Sequence, residues 1–177
     1  MWFLQADTLL AIAAFALGTS VGIIVGQKLG AGELEKARDY AWKLIAFATA
    51  VAAVFGGILA LCSSLFPQLY NTTAEVRSLA ARMLIIMGLF LPLVTFSHSS
   101  YFTLRCGGKT LITLLFDSVF TWVVNIPLAW GLSRYTVLPI LPLFFLCQCP
   151  EMLKCCLGFG MVKSGKWVQN LTTLEDV

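Results

Sequence analysis

Five apolar stretches, Leu9–Gln27, Tyr40–Phe66, Leu79–Thr103, Leu111–Leu132 and Val137–Val162, dominate the chain. Each is about 20 residues or longer, the length a helix needs to cross the roughly 30 Å hydrocarbon core of a bilayer. Hydrophobic residues fill 59% of the 177 positions and charged residues only 12%, against about 45–50% and about 25% in an ordinary soluble domain. One globular core has no room for such an excess, and its division into blocks separated by short polar or Gly/Pro-containing links predicts an all-α integral membrane protein of five transmembrane helices. The linker GAGELEKARD, Gly30–Asp39, alternates in charge and suits a helical turn at the membrane surface. Residues 1–165 then form the bundle, and 166–177 a polar cytoplasmic tail with one interfacial tryptophan, Trp167.

Basic residues orient the spans. Lys28, Lys36, Arg38, Lys43, Arg105, Lys109, Lys163 and Lys166 fall on one side of the alternating topology, and Arg77, Arg82 and Arg134 on the other. Eight against three puts the GELEKARD loop and the C-terminus in the cytoplasm and the start of the chain outside. The first residues lack a basic region and a cleavage site, so no removable signal peptide is expected. An odd number of spans with an external start predicts that preceding spans are missing and that the chain is an incomplete fragment.

The first span carries glycine at every fourth position, Gly18, Gly22, Gly26 and Gly30. Each costs about 1 kcal/mol against alanine inside a helix. Residues four apart stack on one face, and a face of small residues lets a second helix approach backbone to backbone in lipid. With Ala14 and Thr19 beside them, these glycines predict a tightly packed first helix.

Ionisable side chains are expensive inside a bilayer and mark functional positions. His98, Asp117, Glu151 and Lys154 are the four that qualify. Asp117 has the chemistry to take a proton or a sodium ion, or to hold a structural hydrogen bond. Glu151 and Lys154, three apart, share a helix face and pair, just after Pro150 opens the backbone ladder. His98, the single histidine, sits in a polar band with Ser97, Ser99, Ser100 and Tyr101. Its imidazole either binds a proton near neutral pH or makes an interhelical hydrogen bond. Asn125 with Pro127, and Pro139, Pro142 and Pro150, mark expected kinks.

The six cysteines, Cys62, Cys106, Cys147, Cys149, Cys155 and Cys156, lie in or beside apolar blocks without a C-x-x-C pair, and read as small buried thiols, not as disulfides or metal ligands. No Ser/His/Asp, Cys/His or phosphate-cradling arrangement occurs, so neither an enzyme nor a catalytic residue, metal or cofactor is expected. A net charge of +3 without a basic stripe gives nucleic-acid binding no support.

The run Val25-Gly26-Gln27-Lys28-Leu29-Gly30-Ala31-Gly32, followed by ELEKAR, resembles the motif that closes the second helix of each lobe in the multidrug and toxic compound extrusion (MATE) family. Its motif residues are Gly26, Gln27, Leu29, Gly30, Ala31 and Gly32. Further along, Leu104-Arg105-Cys106-Gly107-Gly108-Lys109-Thr110 is similar to a family turn. Asp117, Trp122 and Pro127 resemble a family helix pattern, and the end PEMLKCCLGFGMVKSGKW resembles the last helix of the bacterial and archaeal branch. The resemblance implies twelve spans in two six-helix lobes, of which these would be the eighth to the twelfth. The first helix of the C-terminal lobe and the whole N-terminal lobe would be absent. It further implies multi-pass placement in the plasma membrane of a bacterium and antiport driven by sodium or protons. The expected cargo is drug-like organic cations, and the expected partners are that small-molecule substrate, the bilayer and the missing lobe. Two other readings remain beside it: a lipid-linked oligosaccharide flippase of the same wider fold, and a non-transporting membrane scaffold.

Overall fold

The structure, a computed structural model, describes residues 2–65, 68, 73–135 and 139–168, and the side chains of these except 2–11, 112 and 116. The expected span limits at Phe66 and Val137 and the tail beyond residue 168 lie outside the described residues. Helix α1 runs Trp2–Gly30, α2 Leu34–Leu61 and α3 Ala74–Cys106. Two short helices follow, α4 (Thr110–Leu114) and α5 (Ile126–Tyr135), and then α6 (Ile140–Ser164). Among the described residues, four helical segments are long and apolar enough to cross a membrane: Ile12–Gly30, Leu34–Ser64, Ala74–Cys106 and Ile140–Ser164.

The fourth expected span departs from a plain helix. Between α4 and α5 the backbone opens into two π-helical turns, Leu115–Val119 and Thr121–Asn125. A π turn carries one more residue per hydrogen-bonded ring than an α turn, and hydropathy is blind to that change of register. The Thr121 hydroxyl donates to the Asp117 carbonyl at 2.7 Å, giving a partner to backbone that the widened ladder exposes.

Helix α3 is the hub, packed against α1, α2 and α6. On α2 the buried residues Ala37, Ala41, Ile45, Ala48, Ala52 and Gly56 recur every three or four positions and make a narrow seam. Its closest approach to α3 is at Gly56 and Gly88, where a methyl on either glycine would overlap the other's carbonyl group. Along α1 the contacts climb in step with α3. A Cβ on Gly18 would meet Phe102 Cδ2 at 2.9 Å and the His98 backbone at 3.3 Å, one on Gly22 would meet Phe102 and Cys106, and one on Gly26 would lie 3.6 Å from Cys106 Sγ. The ridge His98, Phe102, Cys106 thus fills the groove of the three glycines, with the two helices parallel. Gly30 faces nothing within 4 Å and is exposed at the end of α1, so the expected stripe is three residues long.

The outside is apolar. Phe47, Leu61, Leu89 and Trp122 are each more than 60% exposed, a surface that lipid covers in a membrane protein.

The GELEKARD segment is the start of α2 more than a separate loop. Gly32, at φ 75°, turns the chain, the amides of Ala31, Gly32 and Glu33 cap the last carbonyls of α1, and α2 begins at Leu34. Glu33 at the turn bonds Lys36 and Lys28, each at 2.9 Å. The hydrogen bond from Lys36, with that from Lys28, holds the Glu33 carboxyl at about 2, against an ordinary 4.5. A depressed carboxyl stabilises the turn fully above its unfolded value. That contribution is therefore complete above about 4.5 and is lost as pH falls through about 2. Amide protection at Ala31–Lys36, taken against the intrinsic exchange rate at each pH, is expected to fall across that window, and Glu33→Gln to remove this loss.

At the other end of α6, Gly165 in the left-handed region, φ 67°, reverses the chain. Trp167 is consequently 1% exposed, not interfacial. Its Nε1 donates to the Val162 carbonyl at 2.9 Å, and it joins Val25, Leu29, Ala37, Ala41 and Leu104 in the core.

Candidate functional site: a charged cavity beside an apolar groove

Val94, Ser97, His98 and Tyr101 are spaced i, i+3, i+4, i+7 and so form one face of α3. Opposite them stand Asp117, on the first π turn, and Glu151 and Lys154, on α6. Together these seven residues line a cavity of about 50 Å³. A water needs about 10–15 Å³ by this measure, so the cavity admits a few waters and no drug-sized molecule.

Each charged group has a local reason for its place. Lys154 Nζ donates to Glu151 Oε1 at 3.0 Å, with the two side chains only 11% and 17% exposed, and lies 5.5 Å from the centre of the Phe120 ring. Pro150, one residue before Glu151, is buried inside α6. The His98 ring stacks at 4.2 Å on Phe15 of α1, tilted by 42°, while its backbone is pressed by Gly18. Asp117 is exposed. Asn125 lies elsewhere: it is half-buried in the second π turn, and its Oδ1 is buried with no hydrogen-bond partner. Four of the five expected pathway residues therefore surround one space and the fifth does not.

The polar band around His98 divides. Ser97 and Tyr101 face the cavity, whereas Ser99 and Ser100 are fully buried away from it. Cys155, expected from the sequence only as a small buried thiol, adjoins this site. Its Sγ donates to the Leu93 carbonyl at 3.1 Å and lies 3.3 Å from Ser97 Oγ. A thiol has one proton, so the Ser97 hydroxyl is the donor to sulfur. The available signal was spacing: Cys155 falls four residues after Glu151, on the same face of α6.

This Ser97–Cys155 contact separates the charged cavity from a second, open groove of about 430 Å³ lined by Thr49, Pro92, Leu93, Phe96, Cys155, Cys156 and Phe159. All six cysteines are free thiols, but none is buried as expected: five are half-buried, and Cys156 is exposed because α6 turns it out of the bundle into that groove. No group of three or more His, Cys, Asp or Glu side chains gathers as a metal site among the described residues. The motif residues at the end of α1 build a helix stop: Leu29 is wholly buried, Gly26 half-buried, Gln27, Gly30 and Ala31 exposed, and Gly32 makes the turn.

Long apolar helices packed through small residues, with an apolar exterior, define a multi-pass all-α membrane protein. The MatE family model matches residues 3–130, and the chain belongs to that family. It is 26% identical over 129 residues to a probable multidrug resistance protein NorM of Bacillus cereus, covering 73% of this chain and 28% of that protein. A probable multidrug resistance protein NorM of Pasteurella multocida is 24% identical over 136 residues, 76% of this chain and 29% of that one. The probable multidrug resistance protein YoeA of Bacillus subtilis is 27% identical over 141 residues, 77% of this chain and 30% of that one. The chain thus spans under a third of the length of these curated relatives. No solved structure is a significant match.

Proposed function

We propose that this chain is most of one lobe of a secondary transporter that exports drug-like organic cations across a bacterial plasma membrane. In this reading a sodium or proton gradient drives export by rocking of two lobes about a central cavity, and the C-terminus is cytoplasmic. The observation that carries it is the cavity itself: His98, Asp117, Glu151 and Lys154 share one space between spans, where ionisable groups are costly enough that they mark ion or substrate paths. Membership of the family, with relatives named as probable multidrug resistance proteins, supports a drug-like cargo. The small size of the cavity suits an ion better than the cargo, and the apolar groove beside it has the volume for part of an organic molecule. A flippase would need more cations for phosphate than the single lysine this cavity offers.

The test is a chimera in which this chain replaces the matching segment of the Bacillus subtilis relative, assayed by ethidium efflux from cells. Asp117→Asn and His98→Ala are each expected to slow efflux tenfold or more, equivalent to about 1.4 kcal/mol. Native rates in both variants, at equal expression, would remove the cavity from the transport path.

A further inference from the structure

Counted at their ordinary charges at neutral pH, two carboxylates, one ammonium and one imidazole leave the cavity one positive charge short of balance. Those titratable groups reach it from three elements: His98 and Tyr101 from α3, Asp117 from the π turn, and Glu151 and Lys154 from α6. On the fourth side, α1 contributes Phe15, which stacks on His98 and carries no charge. The missing charge is either a metal cation or a proton, and the placement of Lys154 distinguishes them.

We propose that Lys154 is the resident cation of this cavity and its ion filter: it stands where a sodium ion would bind, so the cavity exchanges protons through His98 and is closed to sodium. This rests on reading the cavity as part of the ion path.

Three observations carry it. First, the ammonium is fixed from both sides, by Glu151 Oε1 at 3.0 Å and by the face of the Phe120 ring at 5.5 Å, and the residue is only 9% exposed. A sodium ion drawn to the same carboxylate would meet that charge at close range in a medium where water screens it little. Second, the oxygens are partly engaged already. The protein oxygens facing the cavity are those of Asp117, the second oxygen of Glu151, Tyr101 and the Ser97 hydroxyl, whose proton goes to Cys155 Sγ at 3.3 Å, and of the two carboxylates among them Glu151 is already held by the Lys154 ammonium. Third, a proton needs neither volume nor a coordination shell. One free imidazole nitrogen in a 50 Å³ cavity is enough for it.

Because His98 is the single histidine of the chain, nitrogen-labelled histidine gives one NMR titration curve that reports this site alone. The purified chain in lipid nanodiscs would be titrated in sodium chloride and again in choline chloride. His98 is expected to titrate, with the two curves superimposed. In Lys154→Gln the curves should separate, sodium opposing protonation and approaching one-for-one exchange, about one pH unit for each tenfold rise in sodium. Lys154→Arg, which keeps the charge, should restore superposition. The idea fails if sodium displaces the curve of the native chain, if His98 does not titrate, or if Lys154→Gln remains blind to sodium. The native-chain measurement decides the first two points without any variant. Since it reads binding and not export, an efflux-dead chimera whose His98 still titrates independently of sodium would overturn the transport reading and leave this one standing.

Discussion

Gly88→Ala is expected to destabilise the bundle by about 3 kcal/mol, the upper end of the cost of overpacking. The reason is what the added methyl would strike. It would overlap the carbonyl of Gly56, and a methyl on Gly56 would overlap that of Gly88. Backbone, unlike a side chain, cannot rotate away, so α2 and α3 would have to separate along a seam whose α2 side is mostly alanine. In lipid that seam is held by close van der Waals contact, which falls steeply with distance. Unfolding of the chain in mixed micelles by rising dodecyl sulfate, followed by circular dichroism, measures the loss. Gly57→Ala is the control. One position away, with nothing within 4 Å of its Cβ, it should be neutral or gain up to about 1 kcal/mol of helix propensity. Gly56→Ala combined with Gly88→Ala should cost less than the sum of the two, because the first methyl already forces the helices apart. Equal midpoints for Gly57→Ala and Gly88→Ala would show that the two backbones do not touch.

That contact also shows where the sequence stops being informative. The groove on α1 was legible because Gly18, Gly22 and Gly26 lie on one helix, and a spacing of four is a property of one helix. Gly56 and Gly88 are each single members of different helices, and their partnership exists only across the α2–α3 seam. The same division runs through the charged cavity. The cost of burying charge singles out His98, Asp117, Glu151 and Lys154 one by one, and the i, i+3 spacing pairs the last two. That all four line one space depends on how α6 and the π turn pack against α3. The two π turns were invisible because apolar residues fill a wide turn as readily as a narrow one. In Trp167 the local signal pointed the wrong way. A lone tryptophan among lysines and asparagine has the composition of a membrane-interface residue, and a left-handed glycine two positions earlier folded it inward instead.

Trp167→Ala should therefore be the most damaging change outside the spans, costing about 3–5 kcal/mol. The ring closes one end of the bundle. It is 1% exposed among residues of α1, α2 and α3, and the backbone of Gly107, in the turn after α3, lies so close to it that a Cβ there would overlap the Trp167 carbonyl. Truncation would leave an indole-sized void beneath that turn, and would unpin the end of α6 from α3. Trp167→Phe separates packing from polarity. It keeps most of the apolar volume and gives up the 2.9 Å bond to the Val162 carbonyl, for a cost of about 1 kcal/mol. A local readout is the Cys106 thiol, half-buried next to Gly107 and against Gly22 and Gly26. With the other five cysteines replaced, maleimide should label Cys106 slowly in the parent, faster in Trp167→Phe and fastest in Trp167→Ala. If the alanine variant unfolds at the parent's detergent fraction and labels at the parent's rate, Trp167 is not what holds that end shut. The bundle would then owe its closure to the α1–α3 glycine groove alone.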